Sequence, residues 1–556
     1  MNSDSDTAQA GIVAIHPPDD FRGAFRSDAD ALAVYSEAAG IARIFPRAVA
    51  VPADIADVQT LVRWAHRTAT PLIPRGSGSS MSGGAIGDGV IVDLSRMNHI
   101  GDVDVAQRRI TVGPGAVRGE VEKAARKVGL RFPPDPSSGA FATIGGMAST
   151  NASGAHTLKF GSTRAWVSAL DCVFDDGSRA TIARGEPLPG AIPAIQRLRD
   201  VDASLRASDT ARPSVHTGVL KESSGYGLHA YMESGELVDL MVGSEGTLAI
   251  IVSVQLILTD VAGATSSLLG AFPTLEGAVH AAVGARNSGA VACELLDRTF
   301  LDVAAHAAAM LRIPAGTEAV LMAEVEGSNS DDAVIAAKTL GETFRVAGAS
   351  TVTLALTPGD EEHMWELRHV ASPILAKLGP SLTSMQFVED GAVPPERLPE
   401  YVRGVRAILD RYGVKGVIFG HAGDSHMHVN PLIDVAAPHW RDTVQHVLND
   451  VVHLTAQLGG TLSGEHGDGR LRTPLLSAVW PPEVLAAFRS IKEAFDPADI
   501  FNPGVKIVTD GERAIGDIKY DPSLAPLPPR AATAMARVYD DRAYDRFRLD
   551  LLDEPA

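Results

Sequence analysis

Apolar residues recur along the chain with two different periods, and from about Ala42 their alternation predicts mixed helix and strand. Over Ala53–Thr68, the residues Ile55, Val58, Leu61, Val62 and Ala65 fall at helical spacing, with Asp54 near the start as a capping side chain. Short apolar runs predict strands at PLIP, VIVDL, Arg109–Val112, Trp166–Phe174 and Leu248–Leu258. Between about Ala262 and Trp480 the texture changes. Helical stretches such as Leu275–Asn287 and Asp331–Val346 alternate there with strands such as Ala319–Glu324, which predicts a second α+β domain over 262–480. Val484–Asp499 reads as a closing helix stopped by FNPG, where Pro503 and Gly504 forbid continuation. Residues 1–41 carry no clear period and are expected to form an irregular arm. Beyond APLPPR, the charged stretch RVYDDRAYDRFRLDLLDE predicts a linker and an amphipathic terminal helix over 509–556, either a partner surface or packed on its own body.

Composition narrows the function classes. An apolar share of 45% with 21% charged residues is ordinary for a globular enzyme. The balance of 49 bases against 68 acids, −19 in all, argues against nucleic acid or an anionic membrane as the main partner. An anionic substrate then needs a local cationic cluster. The two cysteines, Cys172 and Cys293, are too few for a disulfide framework, a zinc ribbon or an iron–sulfur cluster. The acidic N-terminal residues lack the features of a signal peptide, and the longest apolar run, Leu248–Leu258, falls short of the ~20 residues a span needs. A cytoplasmic location is expected, with peripheral contact at the inner membrane left open.

Three glycine-rich segments carry the first chemistry. In PRGSGSSMSGG, Pro74 to Gly84, the glycines let backbone amides approach a phosphate, and Ser77, Ser79 and Ser80 add hydroxyl donors. A dinucleotide Rossmann loop or a Walker loop opens a helix, whereas this one leads to a strand, GVIVDLS. The second segment runs from Phe132 to Gly161 and the third, VGSEGTLAII, from Val242 to Ile251. Together they suggest one extended ligand approached closely by backbone at several points. Singly, each is also explained as tight turns in a β-rich domain.

The second constellation is GHAGDSHMHVN with SGEHGDGR. It offers His421, His426, His428 and Glu465, the donor types that zinc, manganese or iron take. If Ser425–Val429 is extended, His426 and His428 share a face, so periodicity does not choose between them. His466 is the leading general base, since imidazole titrates near working pH, and an orienting role beside the metal is its alternative.

The ordered motifs RGSGSSMSGG, PPDPSS, TIGGMASTNASG, KESSGYGL, GSEGTLAI, FGHAGDSHMHVNP, SGEHGDGR and FDPADIFNPG resemble those of the FAD-linked D-2-hydroxy-acid dehydrogenases of the vanillyl-alcohol-oxidase superfamily, over about residues 42–508. That family includes D-lactate and D-2-hydroxyglutarate dehydrogenases and the flavin subunit of glycolate oxidase. The resemblance implies an α+β fold: a two-subdomain FAD-binding domain over 42–261, a ferredoxin-like α+β cap over 262–480, and a return to the FAD domain over 481–508. It implies that the backbone of Arg75, Gly76, Ser77, Gly78, Ser79 and Ser80 holds the FAD pyrophosphate. Pro134, Asp135, Ser137, Gly145, Gly146, Ser149, Ser153 and Gly154 are then expected along the cofactor, with Glu245, Gly246 and Ile250 near its adenosine or ribityl part and Asn502 reaching the flavin. His156 is a candidate for covalent attachment, although the subgroup usually holds its flavin noncovalently.

The same resemblance selects His421, His428 and Glu465 as metal ligands, with zinc favoured over manganese or iron, and leaves His426 as the place for a ligand swap. Arg368 matches a carboxylate-binding arginine, whose fork suits that anion. A surface ion pair of Arg368 with Glu361 or Glu362 is the alternative. Asn430 matches a substrate contact, and Ser372 matches a hydroxyl contact on the helical face of Arg368. Arg470 and Arg472 are further candidates at the mouth. Val388 stands where the hydroxyglutarate-oxidising members carry a lysine for the distal carboxylate, which favours a D-lactate-like monocarboxylic acid.

The expected reaction is oxidation of a D-2-hydroxy acid to the 2-oxo acid, with hydride passing to flavin N5. Without cysteines for a cluster, the electrons must leave to a separate acceptor: a quinone, a cytochrome, an electron-transfer flavoprotein or an iron–sulfur protein. A homodimer is compatible with this. The rivals are a metal-independent flavin oxidase of alcohols or sugars using oxygen, a metal hydrolase, and a flavin subunit active only within a complex.

Overall fold

The computed structural model describes residues 15–207, 215–375, 382–509 and 511–554. Within them the side chains of 307, 358 and 369–375 are not described, so the hydroxyl of Ser372 lies outside the described residues. The chain has an α+β fold built on three main sheets.

The first sheet places Ala24–Arg26, Ala48–Val51, Val90–Asp93 and Leu72–Arg75 side by side, the last two parallel to each other. The second is antiparallel in the order Arg109–Val112, Ile250–Ile257, Val167–Val173, Arg179–Ala183. The helix Ile55–Thr68 opens on Asp54, whose carboxylate accepts from the Asp57 amide, as the capping pattern predicts. It packs Val58, Leu61, Val62 and Ala65 into the core formed with Val90 and Val92. Residues 500–502 return to the edge of the first sheet: the Leu72 amide donates to Ile500, and the Asn502 amide donates to Leu72.

The third sheet has eight strands. Its main path runs Thr351–Leu354, Ala264–Phe272, Ala319–Gly327, Ala292–Asp297, Lys415–His421, His426–Asp434, Leu382–Ser384, and Gly391–Ala392 pairs the other end of His426–Asp434. The helices Leu275–Asn287 and Ser330–Val346 cover it through Ala278, Ala282, Leu340 and Phe344. Its centre matters most for function. The hairpin Lys415–His421/His426–Asp434 turns through Ala422–Asp424, with Ser425 left-handed at φ 57°, and so brings His421 opposite His426.

Two expectations are corrected. Residues 24–41 are not an irregular arm. Ala24–Arg26 pairs with Ala48–Val51, and the helix Ala29–Tyr35 buries Ala31, Val34 and Tyr35. Both elements are short, three and seven residues, too short to show a period. The C-terminal stretch is not one helix but two, Pro529–Asp540 and Arg548–Asp553. Their apolar faces, with Met535, Val538, Leu549 and Leu552, close over that N-terminal helix.

Candidate active site

The first glycine segment joins two parallel strands, and its carbonyls turn to one side. Gly78 O accepts from the Ala39 amide at 3.1 Å, Ser80 O from the Gly40 amide at 3.1 Å, and Ser77 O from Arg548 Nη2 at 3.2 Å. A planar peptide points its N–H opposite its C=O. The Gly78, Ser79 and Met81 amides are thereby turned the other way. Among the described residues none of the amides from Ser77 to Gly84 has an acceptor, and Ser80 Oγ is buried without a partner. Such a row of unpaired donors fits a pyrophosphate.

The chain approaches this space closely. A Cβ at Gly76 would meet Thr143 Oγ1 at 2.1 Å, and one at Gly145 would meet Pro114 Cβ at 2.7 Å. Arg75, Gly76, Ser80, Gly145, Gly146 and Ser149 line an open cleft. Glu245 and Gly246 form its far side, with Ala249 and Ile251 as an apolar wall. The unpaired amides beside this apolar lining would suit an FAD.

Several residues expected along the flavin are not among those lining this cleft. Ile250 is buried with Val173 and Phe501, because strand alternation turns its neighbours Ala249 and Ile251 to the cleft instead. Asn502 Nδ2 donates to Gly84 O and Glu245 O and ties two cleft walls together. Pro134 O accepts from Arg118, and Ser137 is exposed. Asp135 holds His156 Nδ1 at 2.5 Å, while Glu324 takes His156 Nε2 at 3.0 Å. Burial opposes charge on that imidazole, but the two carboxylates raise it to about 11. A histidine with both nitrogens engaged is a poor nucleophile for flavin attachment. Ser77 and Ser79 hydroxyls face each other at 3.1 Å. Ser153 Oγ donates to Glu465, and Gly154 O accepts from Lys221, so this pair faces the histidine cluster.

In that cluster His421 Nε2 and His428 Nε2 each lie 3.3 Å from Glu465 Oε1. Ligands bonded tetrahedrally at ~2.0–2.1 Å stand about 3.3 Å apart, so this spacing would suit a metal's donor set as well as it suits hydrogen bonds. The other ring nitrogens are spoken for. His421 Nδ1 lies 2.5 Å from Glu294 Oε1, and His428 Nδ1 donates to Glu389 O at 2.8 Å. Outer hydrogen bonds of this kind fix the tautomer that presents Nε2.

His426 belongs to the same group of donors, but its Nε2 is held by Asp390 Oδ1 at 2.8 Å and its Nδ1 is buried without a partner. Burial, then Lys221, push its value down to about 3, which keeps the ring neutral. Burial opposes charge on Glu465, yet Lys221 and His421 hold it well below the usual range. Five buried carboxylates, Glu294, Glu389, Asp390, Asp424 and Glu465, stand against three permanent cations, Lys221, Arg368 and Arg472.

His466 stacks on His428 with ring centroids 5.4 Å apart, and its Nδ1 lies 2.7 Å from Glu389 Oε2. Burial opposes its charge, but Glu389 and Asp390 raise its value above that of a free imidazole. The segment carrying it is wedged against the cleft: Ser82 Oγ donates to His466 O, and Glu245 accepts from the Asp468 and Gly469 amides.

Arg368 donates from Nε to Glu294 Oε2 at 2.8 Å and lies over the Phe419 ring, not on Glu361. Among the described residues nothing accepts from its Nη groups. Asn430 shares the face of His426 and His428 along one strand. Arg470 and Arg472 are not at the mouth. Arg470 binds Gly83 O, Asn502 and Pro503 O, and Arg472 is consumed by Glu389 and Gly467 O. Sequence reasoning missed Lys221, Glu294, Glu389 and Asp390. All four are single charged residues whose role depends on which buried partner they meet.

Residues 46–183 match the family model described as FAD binding domain, and residues 263–505 match that of FAD linked oxidases, C-terminal domain. This chain belongs to the FAD-linked oxidases. Within that family it is 29% identical over 496 residues to a D-lactate dehydrogenase from Archaeoglobus fulgidus, covering 89% of this chain and 97% of the relative. It is 30% identical over 508 residues to a D-2-hydroxyglutarate dehydrogenase from Pantoea ananatis, covering 85% of this chain but only 49% of the relative. The glycolate oxidase subunit GlcD from Bacillus subtilis is 26% identical, with 91% and 97% covered. The fold is of the vanillyl-alcohol-oxidase type. It matches 4-ethylphenol oxidase from Gulosibacter chungangensis with a TM-score of 0.64 at 16% identity, over 87% of this chain and 94% of that one. A substrate-bound p-cresol methylhydroxylase gives a TM-score of 0.64 at 14% identity with the same coverage.

Proposed function

We propose that the chain oxidises a D-2-hydroxy acid, D-lactate or a similar monocarboxylic acid, to the 2-oxo acid, with FAD as hydride acceptor and a divalent cation on His421, His428 and Glu465. The observation that carries this is the convergence of those three donor atoms within one bonded carboxylate of Arg368. Zinc suits the His₂Glu set best, with manganese or iron as alternatives. When bound, FAD supplies the two-electron sink and the cation a Lewis acid for the substrate hydroxyl.

The chain's own groups do the rest. Arg368, steadied by Glu294 and Phe419, offers its Nη edge to the substrate carboxylate, and Asn430 adds an amide on the same side of the sheet. His466, its Nδ1 committed to Glu389, takes the hydroxyl proton at Nε2. Among the described residues near this site no free cation remains for a second carboxylate. Val388 sits among Phe387, Leu448 and Val451, and Arg470 and Arg472 are both engaged.

Reoxidation by a separate acceptor, a cytoplasmic or membrane-peripheral site of action and a homodimer complete the proposal. Among the described residues no helix is long and apolar enough to cross a membrane. The relative named as a glycolate oxidase subunit supports a second reading, in which the chain works as the flavin subunit of a complex. Anaerobic flavin bleaching of the isolated chain, screened over D- and L-2-hydroxy acids and repeated after chelation and metal return, tests both. Bleaching by one enantiomer, lost on chelation and restored by metal, is expected. A chain that stays oxidised with every acid points to the complex, and one that holds no FAD overturns both.

A further inference from the structure

The C-terminal residues lie beyond the matched oxidase segment, which ends at 505, yet they grip the phosphate loop. The contact begins at residues 517–519. Asp517 O accepts from the Arg43 amide, the Lys519 amide donates to Ile41 O, and Lys519 Nζ caps Ala38 O and Ala39 O at 3.1 and 3.3 Å. Tyr539 donates its hydroxyl to Glu37. The stretch thus held, 37–41, is the one whose Ala39 and Gly40 amides take Gly78 O and Ser80 O. The third loop carbonyl, Ser77 O, is taken directly by Arg548, a residue only 3% exposed whose Nη1 also reaches Ala543 O. All three carbonyls that orient the amide row are therefore fixed by the tail, one directly and two through a single intervening strand of chain.

Charge reinforces the geometry. Arg548 and Arg75 are both buried, each with an Nε lacking a partner. The Arg75 guanidinium caps Tyr35 O, Glu37 O and Ala85 O. Two guanidiniums behind an amide row favour a phosphate anion in front of it. Burial and Arg75 lower Arg548 only to about 10, so it is charged at neutral pH.

We propose that Arg548, presented by the C-terminal helices, is a positioning residue for the cofactor pyrophosphate: it fixes the Ser77 carbonyl so that the Gly78 amide faces the cleft. This rests on the flavin reading and adds to it a role for the tail.

The test uses the full chain with Arg548→Met, Arg548→Lys and, as an exposed control in the link between the two helices, Arg546→Gln. Each is stripped of flavin and titrated with FAD by fluorescence, and separately with ADP, which carries the pyrophosphate without the flavin ring. Loss of one charge-assisted hydrogen bond is expected to weaken FAD and ADP in parallel by about tenfold in Arg548→Met. Arg548→Lys keeps the charge but not the fork, and should fall between it and the wild type. The control should stay within twofold, and the flavin-free Arg548 variants should remain folded at the temperature of the titration. A purely structural role would lower the thermal midpoint and leave the dissociation constants alone. FAD and ADP constants within twofold of wild type in both Arg548 variants overturn the proposal. Should Arg548→Met not fold, Arg548→Lys decides. A wild-type chain that takes up no FAD sinks the flavin reading and this proposal together, which separates the two failures.

Discussion

Glu294 Oε1 lies 2.5 Å from His421 Nδ1, and the other oxygen of that fully buried carboxylate holds Arg368 Nε at 2.8 Å. One side chain thus sets both the ring that would face a metal and the guanidinium that would face a substrate carboxylate. Burial opposes its charge, but His421 and Arg368 keep it ionised far below the ordinary glutamate range. Glu294→Gln should therefore weaken metal binding about 10- to 100-fold, as loss of outer-sphere carboxylates generally does. It should also raise KM for the hydroxy acid, because Arg368 loses its anchor. Metal titration calorimetry and steady-state kinetics on the same variant check both halves. An effect on KM alone would show that His421 is not a ligand.

His466 is expected to be needed for proton removal and not for holding FAD, since its nearest partners are Glu389, Asp390 and the ring of His428. His466→Ala should slow anaerobic flavin reduction by about 10²- to 10⁴-fold, the usual weight of a general base. The visible flavin spectrum should be retained. Stopped-flow reduction with and without the side chain measures this directly.

The long helix Leu275–Asn287 was legible because periodicity survives in it, and the short strand Arg109–Val112 because its residues alternate between exposed and buried. The glycine segments and the histidine hairpin were legible because few residue types serve their chemistry. The buried counter-charges were not. Glu294 sits in the apolar run ACELLD and is 0% exposed, so nothing local separates it from a surface glutamate on a strand. Ile250 failed by one residue of register, which on a strand exchanges the cleft for the core. Arg470 and Arg472 look like mouth residues in sequence, but their forks are filled by backbone carbonyls and Glu389, contacts more than 80 positions away in the case of Glu389.

The two histidines that sequence period alone does not separate should differ on mutation. His428 turns Nε2 toward Glu465, while His426 spends Nε2 on Asp390. His428→Ala should abolish stoichiometric zinc binding. His426→Ala opens a cavity in the core but should retain the metal with affinity reduced by about tenfold or less, a second-sphere effect. Metal analysis of both proteins after dialysis settles the assignment, and loss of zinc only in His426→Ala would reverse it.

His156 ties residues of the flavin half, through Asp135, to Glu324 on the large sheet. Its folded value, about 11, lies above the ordinary 6.5, so the unfolded chain releases this proton first as pH rises. The stabilisation is complete below about pH 6.5 and is lost progressively as pH climbs through 11. The thermal midpoint of His156→Gln should therefore fall furthest below wild type near pH 6, with the gap narrowing steadily toward pH 10. A gap that widens with pH would mean that the imidazole is buried neutral.

Substrate choice follows from the cations that are not available. Arg368 is the one arginine of the cluster whose Nη groups have no acceptor among the described residues, whereas Arg470 and Arg472 are bound and Val388 lines an apolar pocket. A hydroxy acid with one carboxylate can be met in full. A second carboxylate would find no free cation here among the described residues, in a chain whose net charge of −19 already repels it. D-lactate should therefore give a kcat/KM at least about tenfold above that of D-2-hydroxyglutarate, with the difference carried by KM, since a missing ground-state contact leaves the chemical step alone. Dye-coupled kinetics with both acids at matched ionic strength measure it. Equal KM values for the two would require a cation for the distal carboxylate that the described residues do not provide.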